Sequence, residues 1–238
     1  DLTGKQAYER YMWMSDPRHV LDDLPAVGMA GDKYYAPADT IGDLIDFQGT
    51  VMAIDPSGRG SDELSFAIVS MINSQLFVRM VKGLQGGYSD YNLEYLASQA
   101  KNHKVNEVII ESNFGDGMFT KLLTPWLRKI HPTTTEEVRH SKQKELRIID
   151  TLEPVMNQHR LIVDRSVIVN DYDSVKDYPP EKQVHYMLMH QMTRITKERG
   201  ALTHDDRLDA LAIAVAYWVE QMATDEEEAM GARREELL

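Results

Sequence analysis

The stretch LDALAIAVAYWV, residues 208–219, restricts the fold more than any other part of this sequence. It reads as a helix with apolar residues on nearly every side, and such a helix must be buried on most of its surface. Its first turn has the opposite chemistry. THDDRLDALA, residues 203–212, crowds Asp205, Asp206 and Asp209 at the helix start. Acids at a helix N-terminus cap it, typically worth about 0.3–1 kcal/mol, which accounts for one or two of them. Asp209 leads straight into the apolar stretch, and a carboxylate buried there needs a partner. Asp206 and Asp209 are spaced i, i+3 and can share a face.

Strands and helices to cover this helix are legible upstream. VMAID (51–55), LSFAIVSMI (64–72) and QLFVRMVKG (75–83) are apolar runs separated by turn formers, with Asn73-Ser74 as a hairpin turn. Ser89 suits an N-cap, followed by Leu93, Leu96, Ala97 and Ala100 on one helical face. EVIIES (107–112) reads as a short buried strand, and Met118, Phe119, Leu122, Leu123, Trp126 and Leu127 repeat at helical spacing. Ser141 would cap a helix carrying Leu146, Ile149 and Leu152, bent or ended by Pro154. RLIV (160–163) reads as a strand and HYMLMHQMTRIT (185–196) as one helix. This order predicts a mixed α/β sheet, an antiparallel hairpin feeding a parallel strand, with flanking helices. Residues 1–48 alternate short apolar pieces with Asp, Pro and Gly and read as a linker or the remnant of a preceding element. The main domain is expected over 49–222, with an acidic tail or helix over 223–238.

The chain has 238 residues, a formal net charge of −12 and no cysteine. Disulfides and thiolate zinc sites are therefore excluded, and a reducing compartment fits. No apolar run approaches the roughly 20 residues of a membrane span, and the first residues lack a signal-peptide pattern. The acidic balance argues against a general nucleic-acid coat, though not against an enzyme that grips DNA through a local basic patch.

Asp55 closes the first strand and Glu111 closes EVIIE. In open α/β sheets, ligand sites lie at the carboxyl ends of strands. If those strands are parallel neighbours, the two acids sit side by side and must be protonated or bridged by a cation. Hard cations such as Mg²⁺ and Mn²⁺ take such oxygen ligands. Taken singly, Asp55 also suits an Asx turn before Pro56, and Glu111 a solvent-facing strand end.

The set IDPSGRGSDE, IIESNFGDG and HDDRLDALA resembles the nuclease domain of phage terminase large subunits, especially those of short-tailed phages. The similarity extends over about 48–222 through KELRIIDTLEPVMNQHRL and MTRITKERGALTHDD. DRLDALAIA also resembles the last catalytic helix of Holliday-junction resolvases. Both families imply a ribonuclease H-like fold, a mixed β-sheet flanked by helices, and two-metal phosphodiester hydrolysis with Mg²⁺ or Mn²⁺. By position, the resemblance makes Asp55, Glu111 and Asp206 the primary catalytic metal ligands. Asp209 would be a fourth acid, Asp62 a secondary acid and Asp205 an outer one. His204 suits proton transfer, capping or packing equally. Arg59, Lys142, Lys144, Arg147, Arg194, Lys197 and Arg207 are the candidate DNA contacts, and Gly115 and Gly117 would let the backbone approach DNA or turn into a helix.

The resemblance further implies cutting of concatemeric double-stranded DNA during genome packaging in the host cytoplasm, beside a portal protein, a small terminase subunit and an ATPase domain of the same polypeptide. No GxxxxGK[ST] phosphate loop occurs in the 238 residues. A junction resolvase and a non-catalytic portal-docking module are the competing readings.

Overall fold

The structure is a computed structural model and describes residues 6–56, 62–112 and 117–236. Its centre is a six-stranded sheet built from β3 (Gly49–Asp55), β4 (Leu64–Ile72), β5 (Gln75–Leu84), β6 (Glu107–Glu111), β7 (Thr134–Val138) and β8 (Leu161–Val163). The order across the sheet is β7-β6-β3-β4-β5-β8. β4 runs antiparallel to β3 and β5, whereas β6 is parallel to β3, β7 to β6 and β8 to β5. The expected mixed sheet is present. Asn73 and Ser74 both take positive φ, 48° and 64°, as a tight hairpin between β4 and β5 requires.

Both faces of the sheet are covered, so the central strands are apolar throughout rather than alternating. The period of two divides their residues between the faces. Met52, Ile54, Phe66, Ile68, Val108 and Ile110 pack against α1 (Asp90–Asn102) and α2 (Met118–Ile130). Val51, Ala53, Ala67, Val69 and Ile109 pack on the other side, against α3 (Lys144–Asn157) and α7 (Asp206–Glu236). α7 lies across this second face, and Ala210, Ala212 and Ala214, almost fully buried, let it approach closely. Trp218 anchors it by donating its indole N–H to the Val69 carbonyl at 3.1 Å.

Local signals explain most element ends. The Ser89 hydroxyl accepts from the Asn92 N–H and caps α1 as expected. Gly117 turns the chain into α2 at φ 76°, while Gly115 lies outside the described residues. Three expectations need correction. Gln143, not Ser141, is the residue before α3, and that helix continues through Pro154 to Asn157. β7, TTEEV, has no counterpart in the sequence pattern, because an exposed edge strand carries no apolar alternation. Residues 185–196 do not form one helix. α5 (Pro180–Tyr186) and α6 (Leu188–Arg194) meet at Met187, which is extended. The buried Asp171 carboxylate, on α4 (Arg165–Asp173), accepts from the N–H groups of Leu188 and Met189 and so caps α6. The first 48 residues contain a two-stranded antiparallel sheet, β1 (Gln6–Met12) with β2 (Asp39–Asp46). Its Ala7, Tyr11 and Ile45, with Trp13 and Phe47, pack on Ile72, Phe77 and Ile162.

The start of α7 is fixed by Arg207, whose exposure is 0%. Its guanidinium donates twice to the Glu63 carboxylate, at 2.8 Å each, and at 2.8 Å to Asp171. Tyr178 donates its hydroxyl to Glu63 at 2.6 Å. Gly83 makes room for this pair, since a Cβ there would run into the Glu63 carboxylate. Arg207 therefore cannot contact DNA, contrary to the expectation from its neighbours in sequence. Breaking a buried ion network by removing one partner typically costs about 3–5 kcal/mol. Arg207→Ala should lower the unfolding free energy by about that much in urea titration.

Candidate metal centre

The alternation along β3 and β6 determines where their terminal acids point. Asp55 continues the face of Val51 and Ala53, and Glu111 that of Ile109, which is the face covered by α7. The parallel register pairs Ile54 with Ile110, so Asp55 and Glu111 follow side by side. Asp209, fully buried on the first turns of α7, meets them there. One carboxylate oxygen from each of Asp55, Glu111 and Asp209 lies within 4.8 Å of the other two.

A second group adjoins the first. Asp62, His204 and Asp206 also bring one ligand atom each to within 4.8 Å of one another. Asp206 sits one turn before Asp209 and accepts from the Glu63 N–H at 3.4 Å. The sequence-expected acids are thus divided, with Asp209 rather than Asp206 grouped with Asp55 and Glu111. Asp205 binds Lys144 at 2.8 Å.

Two cations enter the first group from α3. Lys144 Nζ lies 2.9 Å from Asp209, 2.8 Å from Asp205 and 3.6 Å from Asp55. The Arg147 guanidinium lies 2.6 Å from Asp209 and 3.5 Å from Glu111. Both side chains thus pair with the acids, Arg147 largely buried at 11% exposure and Lys144 still 34% exposed. Lys142, Arg194 and Lys197 are exposed near the same end, where Gln143 donates to the Lys197 carbonyl at 3.0 Å. Arg59 lies outside the described residues. Sequence reasoning does not single out Glu63, Asp171 or Tyr178. The one signal for Glu63 is an acid directly before a buried strand.

The electrostatics follow from burial. The Asp55 carboxyl is raised well above the ordinary range, first by desolvation and then by Asp209, Glu111 and Asp206, with Lys144 opposing. The Asp206 carboxyl is raised to about 7, mainly by desolvation, with Lys144 opposing and Asp205 and Asp62 adding to the rise. Burial lowers the His204 pKa and favours the neutral ring. Buried, convergent carboxylates that resist ionisation together are suited to hard divalent cations, which oxygen donors bind and whose charge offsets the repulsion. The residues present fit such ions.

A mixed sheet with acids at the ends of adjacent parallel strands, completed from the helix that covers them, defines a ribonuclease H-like fold. Residues 54–161 match the family described as Terminase Bacteriophage T7, Ribonuclease H-like domain. The terminase large subunit of Enterobacteria phage T3 is 40% identical over 224 residues, covering 94% of this chain and 38% of that relative. The chain thus spans about two fifths of the curated relative it matches. Among solved structures, the human cytomegalovirus terminase nuclease domain, Mn soaked and inhibitor bound, superposes with a TM-score of 0.51 at 12% identity, over 71% of this chain and 82% of that one. The nuclease domain of the large terminase subunit of bacterial virus Sf6 gives 0.43 at 15% identity, over 71% and 88%.

A carboxyl whose pKa rises on folding contributes stability that is full below its unfolded pKa and lost as pH rises through its folded value. For Asp206 that window runs from the ordinary 3.8 to about 7. Metal-free Asp206→Asn should therefore gain on wild type as pH rises from 5 to 8, by an amount on the order of a few kcal/mol at most. Melting curves in chelator at both pH values check this. If Asp206 only caps α7, the substitution lowers the melting temperature at both.

Proposed function

We propose that this domain is a metal-dependent endodeoxyribonuclease of a viral genome-packaging motor, cutting concatemeric double-stranded DNA when packaging begins and ends. The observation that carries the reading is the convergence of Asp55, Glu111 and Asp209 within 4.8 Å at the carboxyl ends of β3 and β6, beside Asp62, His204 and Asp206. The nuclease domains among the comparison structures support it, as does the relationship to a phage terminase large subunit.

Asp55, Glu111 and Asp209 would hold one Mg²⁺ or Mn²⁺, and Asp206 with Asp62 a second. Bound there, a pair of such ions supplies a water of lowered pKa and positive charge beside the leaving oxygen. The protein's part is positional. β3 and β6 fix two carboxylates on one face, α7 adds the third, and the Arg207–Glu63–Asp171 network holds the first turn of α7 in register. Lys144 and Arg147 limit the repulsion among the acids. Lys142, Arg194 and Lys197, with Arg59, would hold the DNA backbone without reading bases, so little sequence preference is expected. Action in the host cytoplasm belongs to this role; no described helix is long and apolar enough to cross a membrane. The portal protein, the small terminase subunit and the ATPase region of the full-length polypeptide are the partners this role entails.

Plasmid cleavage tests the reading. Wild type should nick and linearise supercoiled DNA with Mn²⁺ or Mg²⁺ and not with chelator. Asp55→Asn should lose more than the roughly 10–100-fold that loss of an outer-sphere partner costs. Metal-independent cleavage, or full activity in Asp55→Asn, would refute the site.

A further inference from the structure

The two acidic groups differ in chemistry. Asp55, Glu111 and Asp209 offer oxygen alone, whereas the second group contains an imidazole. The His204 side chain is only 10% exposed. Its Nδ1 is buried and has no hydrogen-bond partner among the described residues. Asp62 Oδ1, the nearest carboxylate oxygen, is 3.8 Å away, too far for a hydrogen bond. A buried polar atom without a partner is costly and uncommon, and this ring shares a three-residue group with the carboxylates of Asp62 and Asp206.

The ring is also held in place. His204 stacks on Tyr186 with centroids 4.0 Å apart and planes 20° from parallel. Tyr186 stacks in turn on Tyr178 at 4.2 Å and 26°. Tyr178 donates its hydroxyl to Glu63, the carboxylate that clamps Arg207. The column of rings is thus tied to the same network that sets the first turn of α7. It keeps Nδ1 beside Asp62, in the group that Asp206 completes.

We propose that His204 Nδ1 is a direct ligand of the second cation, together with Asp62 and Asp206, so that the two metal sites are chemically unequal. The all-oxygen site accepts Mg²⁺ or Mn²⁺ alike. The site containing imidazole favours Mn²⁺, because nitrogen donors suit transition metals whereas Mg²⁺ demands oxygen. This rests on the metal-dependent reading above and assigns the second site its ligand set and its preference.

His204→Phe keeps the stack on Tyr186 and removes both nitrogens. Chelator-treated protein is loaded with Mn²⁺ and examined by pulsed electron paramagnetic resonance. Wild type should show ¹⁴N coupling from a directly bound imidazole, converted to ¹⁵N coupling when histidine is ¹⁵N-labelled. His204→Phe should lose it, while Asp209→Asn retains it. The weaker Mn²⁺ site of His204→Phe should bind at least about tenfold less tightly, with Mg²⁺ affinity changed by less than about threefold. Bound Mn²⁺ without nitrogen coupling overturns the assignment, as does coupling that survives in His204→Phe. The ¹⁵N experiment needs no variant and decides the question of nitrogen ligation even if His204→Phe does not fold. If wild type cuts DNA with Mn²⁺ yet shows no coupling, only the His204 assignment falls. If it binds no divalent ion and does not cut, the nuclease reading falls with it.

Discussion

Three carboxylates whose oxygens lie within 4.8 Å of one another set the conditions for everything around them. Two like charges about 4 Å apart repel by about 4 kcal/mol at an effective dielectric of 20, and three such pairs meet here in a largely buried place. The chain limits this cost with cations from a different element. Lys144 and Arg147, spaced i, i+3 on α3, both reach Asp209. α3 is thus tied to the site electrostatically as well as through Ile148 and Leu152. Buried charge pairs of this kind are poor evidence for stability. Their presence beside a cluster of acids is better explained by the role proposed for those acids.

The same logic extends one layer outward. Asp206 and Asp209 are useful only if the first turn of α7 is fixed in rotation, because a small twist would carry Asp209 away from the strand ends. Arg207 lies between them and is gripped by Glu63 from the start of β4 and by Asp171 from α4. Asp171 also caps α6. One buried guanidinium therefore locks the acidic face of α7 to the sheet and to the helices that precede it.

Much of this is legible in the sequence because it is periodic or local. The strand runs, the Asn73-Ser74 turn, the Ser89 cap and the all-round apolar α7 each follow from a short-range rule. So does the placing of Asp55 and Glu111 at strand ends, which needs only the parallel pairing of β3 and β6. What escapes is non-local. Arg207 looks like a surface cation beside acidic residues, and only Glu63, 144 positions away, makes it a buried one. Lys144 and Arg147 look like a basic turn, and their pairing with Asp209, more than 60 positions away, follows only from the docking of α3 beside α7. The break at Met187 depends on Asp171, 17 positions before Leu188. β7 has no apolar signature because it is an exposed edge.

The role proposed for the buried acids is to hold two divalent cations. Calorimetric titration of metal-free protein with Mn²⁺ near pH 6.5, repeated in buffers of different ionisation enthalpy, tests it most directly. Two ions per chain should bind, releasing protons, because raised carboxyl pKa values leave part of the cluster protonated until metal arrives. Binding of no ion, or of ions with no proton release and the same stoichiometry in Asp55→Asn, would contradict the claim.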